Sequence, residues 1–105
     1  MPCTPLADAR SFLFVPGNRP DRFEKAARSG ADAVVLDLED SVPPADKATA
    51  RHNLATQWRE LIAMDVPLIV RINGEDSASW SDDIAGLGEL EGLAGVMVPK
   101  AERPD

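Results

Sequence analysis

Four short apolar runs recur along the chain, each closed by charged or turn-forming residues. The first, Phe12-Leu13-Phe14-Val15 behind Ser11, stops at Pro16-Gly17. The second, Ala33-Val34-Val35-Leu36-Asp37-Leu38, runs into Glu39, Asp40 and Ser41-Val42-Pro43-Pro44. The third, Leu68-Ile69-Val70-Arg71-Ile72, passes into Asn73-Gly74, and the fourth, Gly95-Val96-Met97-Val98, ends at Pro99-Lys100. Apolar runs of this length between turn residues predict buried strands over 11–15, 33–38, 68–72 and 95–98.

Helical periodicity fills the intervals. From Pro20 to Ser29, Phe23, Ala26 and Ala27 form an i, i+3, i+4 stripe, and Gly30 is a stop signal. Pro20 suits the first turn because its missing N–H would have found no intrahelical partner. Ala45 to about Met64 predicts a longer helix with Ala50, Leu54, Trp58, Leu61 and Ile62 on one face. A short helix carries Asp82 and Asp83 in its first turn, where the dipole favours acids, and Gly86, Gly88 and Gly92 interrupt the segment after it. Strands alternating with helices predict a parallel sheet with right-handed crossovers. Neither a G-x-G-x-x-G turn nor a Walker loop comes after the first strand.

Alternation along the strands separates two faces. Val34, Leu36 and Leu38 share one, while Val35, Asp37 and Glu39 share the other; Ile69, Arg71 and Asn73 likewise share a face. With Leu36 and Leu38 packed under helices, Asp37 and Glu39 point the opposite way, as inward residues of a barrel do. Two strands then end in opposite charges at the sheet edge where parallel α/β folds place their chemistry. That arrangement predicts an active site rather than a plain core.

Composition narrows the partners. The chain has 105 residues, enough for one domain, and its 44% hydrophobic and 28% charged content is that of a folded globular protein. A formal net charge of -7 argues against general nucleic-acid binding, so an anionic ligand needs a local basic cluster such as Arg19, Arg22, Lys25 and Arg28. One cysteine, Cys3, and one histidine, His52, leave no internal disulfide and no Cys/His zinc site. No run approaches signal-peptide or membrane-span character, and the expected setting is the cytoplasm, with no membrane partner.

The segments Arg10-Ser11, Leu13 to Pro20, Phe23-Glu24-Lys25-Ala26, Gly30-Ala31-Asp32-Ala33, Leu36 to Val42 with Pro44 and Lys47, Val70-Arg71-Ile72-Asn73 and Val98-Pro99-Lys100-Ala101-Glu102 form one ordered set. Together they resemble the citrate lyase β-subunit and malyl-CoA lyase group of the HpcH/HpaI aldolase superfamily. The resemblance implies an Mg2+-dependent carbon–carbon lyase that cleaves a 3-hydroxyacyl thioester of citryl or malyl type by a retro-Claisen reaction. The thioester would be that of coenzyme A or an acyl carrier protein. Residues 1–105 would be a partial domain of that family, the first half of a (β/α)8 TIM barrel with four incomplete β/α units, because a full barrel takes about 250 residues.

By the same resemblance, Phe14, Arg19 and Lys25 match coenzyme A or substrate contacts, and Arg71 matches the catalytic arginine that grips the oxo-acid carboxylate. Negative charge develops on an enolate oxygen during such a cleavage, so a metal ion and a fixed guanidinium stabilise the transition state. The carboxylates that ligate Mg2+ directly are expected beyond Asp105, leaving the isolated chain inactive. A homo-oligomer or a complementing C-terminal half is expected to cover its open face.

Several residues keep a second reading. Asp37, Glu39 and Asp40 are expected to line the pocket and to pair with Arg71 and Lys100 or orient metal-bound water; direct ligation and solvated strand-end acids are the alternatives. Lys100 is expected to be their charge partner, with a Schiff-base lysine as the alternative. Trp58 is expected in the core, Trp80 in the core or at the pocket mouth, and His52 on the surface or half-buried. At the level of function, the alternatives are a non-catalytic half-barrel that binds a CoA-like anion and a pyruvate-type class II aldolase of the same superfamily.

Overall fold

A computed structural model of the chain describes residues 11–74 and 76–98. Its elements, in order, are β1 (Phe12–Pro16), α1 (Phe23–Ala27), β2 (Ala33–Asp37), α2 (Lys47–Ile62), β3 (Leu68–Arg71), α3 (Trp80–Leu87) and β4 (Gly95–Met97). Single 3-10 turns at Pro20–Arg22 and Pro44–Asp46 lead into α1 and α2. The strands form one parallel sheet in the order β1-β2-β3-β4, with Val35 opposite Phe14 and Ile69, and Asp37 opposite Pro16 and Arg71.

Sequential order decides the architecture. Right-handed crossovers between successive neighbours send every helix to the same face of the sheet, and the packing agrees. Val15, Val34, Leu36, Leu38, Val70 and Ile72 pack with Phe23, Ala50, Leu54, Trp58 and Leu61 in the main core. On the opposite face Ala33, Val35 and Ile69 cluster with Met97. β2, flanked on both sides, is buried at every position. The β2 alternation is therefore as expected, and the sheet is a four-strand α/β portion of the barrel type. Phe12 and Phe14 on the edge strand β1 are exposed.

Three details differ from the sequence reading. The helix expected over 20–29 is a 3-10 turn followed by the short α1; the Ser29 hydroxyl donates to the Ala26 carbonyl, and Gly30 comes next at a φ of 89°. Positive φ is costly for a residue with a Cβ, which is why glycine suits that exit. The α2 pattern holds, with Trp58 buried and its Nε1 donating to the Glu91 carbonyl at 2.7 Å, but α2 ends at Ile62. Asn73 does not share the Arg71 face. It lies past the end of β3, where alternation no longer holds, and turns to α3.

Trp80 packs partly buried against the main core, and His52 is exposed on α2. Among the described residues no helix is long and apolar enough to cross a membrane.

Candidate active site

The strand ends of β2 and β3 meet in one ion pair. Asp37 is the last residue of β2 and Arg71 the last of β3, in register. Arg71 donates from Nε to Asp37 Oδ1 at 2.9 Å and from Nη2 to Oδ2 at 2.6 Å, a two-pronged contact that fixes the guanidinium plane. Glu39 Oε1 stands 3.5 Å from the same Nε, and the guanidinium carbon lies 4.9 Å from the centre of the Phe14 ring. Parallel pairing places Phe14 on the same face, two residues short of the end of β1. Asp37 is 1% exposed, while the Arg71 side chain is 26% exposed and keeps one edge toward the open face.

Asp37 is held by more than Arg71. The Ser41 hydroxyl donates to Oδ2 at 2.6 Å, the Ser41 N–H to the same oxygen at 3.0 Å, and the Glu39 N–H to Oδ1 at 2.8 Å. Burial alone would push the Asp37 carboxyl up. The bonds from Arg71, from the Ser41 hydroxyl and N–H, and from Glu39 outweigh it and hold the group well below the usual carboxylate range. Arg71 is raised in turn, first by its bond to Asp37 and against its own partial burial.

The other candidates are dispersed. Phe14 and Lys25 line one cleft of about 370 Å³ between β1 and α1, together with Leu13, Arg22 and Ser29. Arg19 is not among its lining residues; it forms an exposed pair with Asp21 at 3.2 Å, which raises the guanidinium. Asp40 is exposed beyond Glu39. Lys100 and its expected pairing lie outside the described residues.

Both oxygens of Asp37 are taken by donors, so this carboxylate does not suit direct contact with a divalent cation. Among the described residues no group of three His, Cys, Asp or Glu could hold a metal ion.

The sequence reading assigns no role to Ser41 and does not join Arg51, Asn73 and Asp83 into one network. The Asp37-x-x-x-Ser41 spacing across a turn was the available sign for Ser41, since a short acid readily accepts bonds from the backbone and hydroxyl just after it. Asp83, read as a helix-end acid, is 1% exposed.

Sequentially ordered parallel strands with helices on one face, and an acid and an arginine joined at their C-terminal ends, define a partial α/β domain of the barrel type. Residues 10–105 match the family model for HpcH/HpaI aldolase/citrate lyase, and the chain belongs to that family. It is 46% identical over 101 residues to the L-malyl-CoA/beta-methylmalyl-CoA lyase of Cereibacter sphaeroides, covering 94% of this chain and 32% of the relative. It is 45% identical over 102 residues to the citrate lyase subunit beta-like protein of Deinococcus radiodurans, covering 93% and 35%.

Solved structures agree. The citrate lyase beta subunit of M. tuberculosis complexed with oxaloacetate and magnesium superposes with a TM-score of 0.73 at 39% identity, over 94% of this chain and 42% of the other. The CitE protein of that organism, in complex with magnesium, acetoacetate and coenzyme A, gives 0.68 at 38% identity over 92% and 34%. The chain therefore spans about a third of the length of the relatives it matches. Its family is one of aldolases and lyases.

Proposed function

We propose that this chain supplies the first four β/α units of an Mg2+-dependent carbon–carbon lyase acting on a citryl- or malyl-type thioester of coenzyme A or an acyl carrier protein. The observation that carries the reading is the Arg71–Asp37 pair at the C-terminal ends of adjacent strands, in a chain of this family. Asp37 takes Nε and one Nη2 proton, so the Nη1 edge of Arg71 is the one offered to a ligand. A guanidinium already fixed in plane by Asp37 and backed by Phe14 binds a planar carboxylate without reorganising. Retro-Claisen cleavage turns the 3-hydroxyl into the carbonyl of an oxo acid and releases the thioester fragment as an enolate that takes up a proton. Arg71 holds the oxo-acid carboxylate throughout.

Mg2+, when bound, neutralises charge on the oxo-acid oxygens. Glu39 and Asp40 would accept hydrogen bonds from its water, with the direct ligands supplied from outside residues 11–98. Phe14, Lys25 and Arg19 would contact the coenzyme A part of the substrate; the Arg19–Asp21 pair is exposed and so readily exchanged for a phosphate. The open sheet face would be covered by a second copy or by further strands of a longer protein.

Glyoxylate is expected to shift the Arg71 Nε–H resonance of the 105-residue chain, and Arg71→Lys to weaken that binding about ten-fold, because an ammonium cannot reproduce the fork. Equal binding by the lysine variant would remove Arg71 from the carboxylate site. The isolated chain is expected to show no Mg2+-dependent cleavage of malyl-CoA; turnover would overturn the assignment of the metal ligands elsewhere. Calorimetry with coenzyme A tests the remaining contacts. Binding lost in Lys25→Ala supports the β1–α1 cleft, and the same loss without any oxo-acid binding would favour a non-catalytic module.

A further inference from the structure

A buried polar chain behind the ion pair has no place in the chemistry described so far. Asp83, the buried residue of α3, accepts hydrogen bonds from Arg51 Nη1 at 3.0 Å, from the Asn73 N–H at 2.9 Å and from Asn73 Nδ2 at 2.5 Å. A carboxylate can only accept, so the Asn73 amide must present its nitrogen to Asp83. Its other Nδ2 proton goes to the Leu38 carbonyl at 2.9 Å. Both donors of that nitrogen are thereby used, and Asn73 is 4% exposed.

The Leu38 carbonyl belongs to the same rigid peptide unit as the Glu39 N–H. That N–H is the donor to Asp37 Oδ1 at 2.8 Å. One plane thus has its carbonyl pinned by Asn73 and its N–H delivered to the carboxylate that fixes Arg71. Turning the plane to satisfy a different partner at the carbonyl would swing the N–H off Asp37. Lys47 Nζ also reaches the Leu38 carbonyl at 3.1 Å, but divides itself with the Glu39 carbonyl at 3.0 Å and is less buried than Asn73. Leu38 N–H, on the preceding peptide, donates to the Arg71 carbonyl at 2.8 Å, so the turn is tied to β3 through its backbone as well.

We propose that Asn73, oriented by Asp83, is a positioning residue for the Arg71–Asp37 pair and acts on it through the Leu38–Glu39 peptide plane. It touches no substrate. Its importance for catalysis rests on the reading of Arg71 as the carboxylate grip, whereas its effect on the pair does not.

Amide hydrogen exchange of the 105-residue chain, followed by NMR, separates positioning from general stabilisation. In Asn73→Ala, the Glu39 N–H and the Arg71 Nε–H are expected to exchange about ten-fold faster relative to the Val35 and Leu36 amides in the middle of β2, as the loss of a buried hydrogen bond of ordinary strength allows. Acceleration of all four by one common factor would mean that Asn73 only stabilises the fold, with Lys47 sufficient to hold the plane, and would overturn the proposal. Should Asn73→Ala not fold, Asp83→Asn keeps the donor to Leu38 but removes the charged acceptor that orients it. The same selective pattern is expected there, at about three-fold, and uniform acceleration would again overturn the proposal. The exchange readout needs no ligand. Failure of wild-type glyoxylate binding would therefore count against the lyase reading alone.

Discussion

Arg71→Met is expected to lower the unfolding free energy at pH 7 by about 3 kcal/mol, the range found when one partner of a buried ion pair is removed and the other stays behind. The buried partner is Asp37, at 1% exposure, and methionine refills the space of the stem without the charge. Three donors from Ser41 and Glu39 remain on the carboxylate, which limits the loss. Asp37 has a folded pKa below its unfolded value of about 4, so its stabilising contribution is present above that value and is lost as the pH falls toward the folded pKa. In Arg71→Met burial is less opposed, the folded pKa moves up, and protonation relieves the variant. The gap between wild type and variant should therefore be widest near neutral pH and narrow below about pH 4. Urea titrations at pH 7 and pH 3 measure it; a gap below about 1 kcal/mol at pH 7, the value of an exposed pair, would show that Arg71 is not what holds Asp37.

A second large effect is expected one loop away. Gly17→Val should destabilise the chain by about 3 kcal/mol or more, and Gly17→Ala by somewhat less. A Cβ at this position would meet the Asp37 carbonyl oxygen at 2.9 Å, the Ala50 methyl at 2.9 Å and Leu38 Cδ2 at 3.0 Å. Neither a backbone oxygen nor a methyl group on a helix can yield by a rotamer change. The loop after β1 would have to lift away, and its N–H would lose the 2.7 Å bond to the Asp37 carbonyl. Thermal melts of Gly17→Ala, Ala50→Gly and the double variant isolate the clash: part of the loss should return in the double variant, since the two sites share one contact. A neutral Gly17→Ala would contradict the packing.

Much of this architecture is written in the hydrophobic pattern, and the exceptions have identifiable causes. Alternation in β2 assigns Leu36 and Leu38 to the helices and Asp37 to the other face because a strand buried on both sides leaves its side chains no other choice. The same rule fails at Asn73, beyond the last residue in regular pairing, where the backbone turns to satisfy Asp83. Asp83 itself reads from sequence as a helix-end acid like Asp82, yet one is buried and the other exposed. Arg51 reaches both acids, so the difference lies in the approach of Asn73 to Asp83, which no local pattern encodes. Arg71 opposite Asp37 could be anticipated from charge and parity, whereas the Ser41 bonds depend on the turn that Asp37 itself caps.

The sheet order also bears on how the chain acquires its structure. Every strand pairs with the strands next to it in sequence, so each loop to be closed is the length of one helix and its connections. Loop closure of that size costs less entropy than joining segments from opposite ends of the chain. Residues up to Arg71 already contain both members of the central ion pair and the Ser41 clamp. A chain emerging from the ribosome can thus lock Asp37 in place before α3 and β4 have left the exit tunnel, with α3 then fastening the turn from behind.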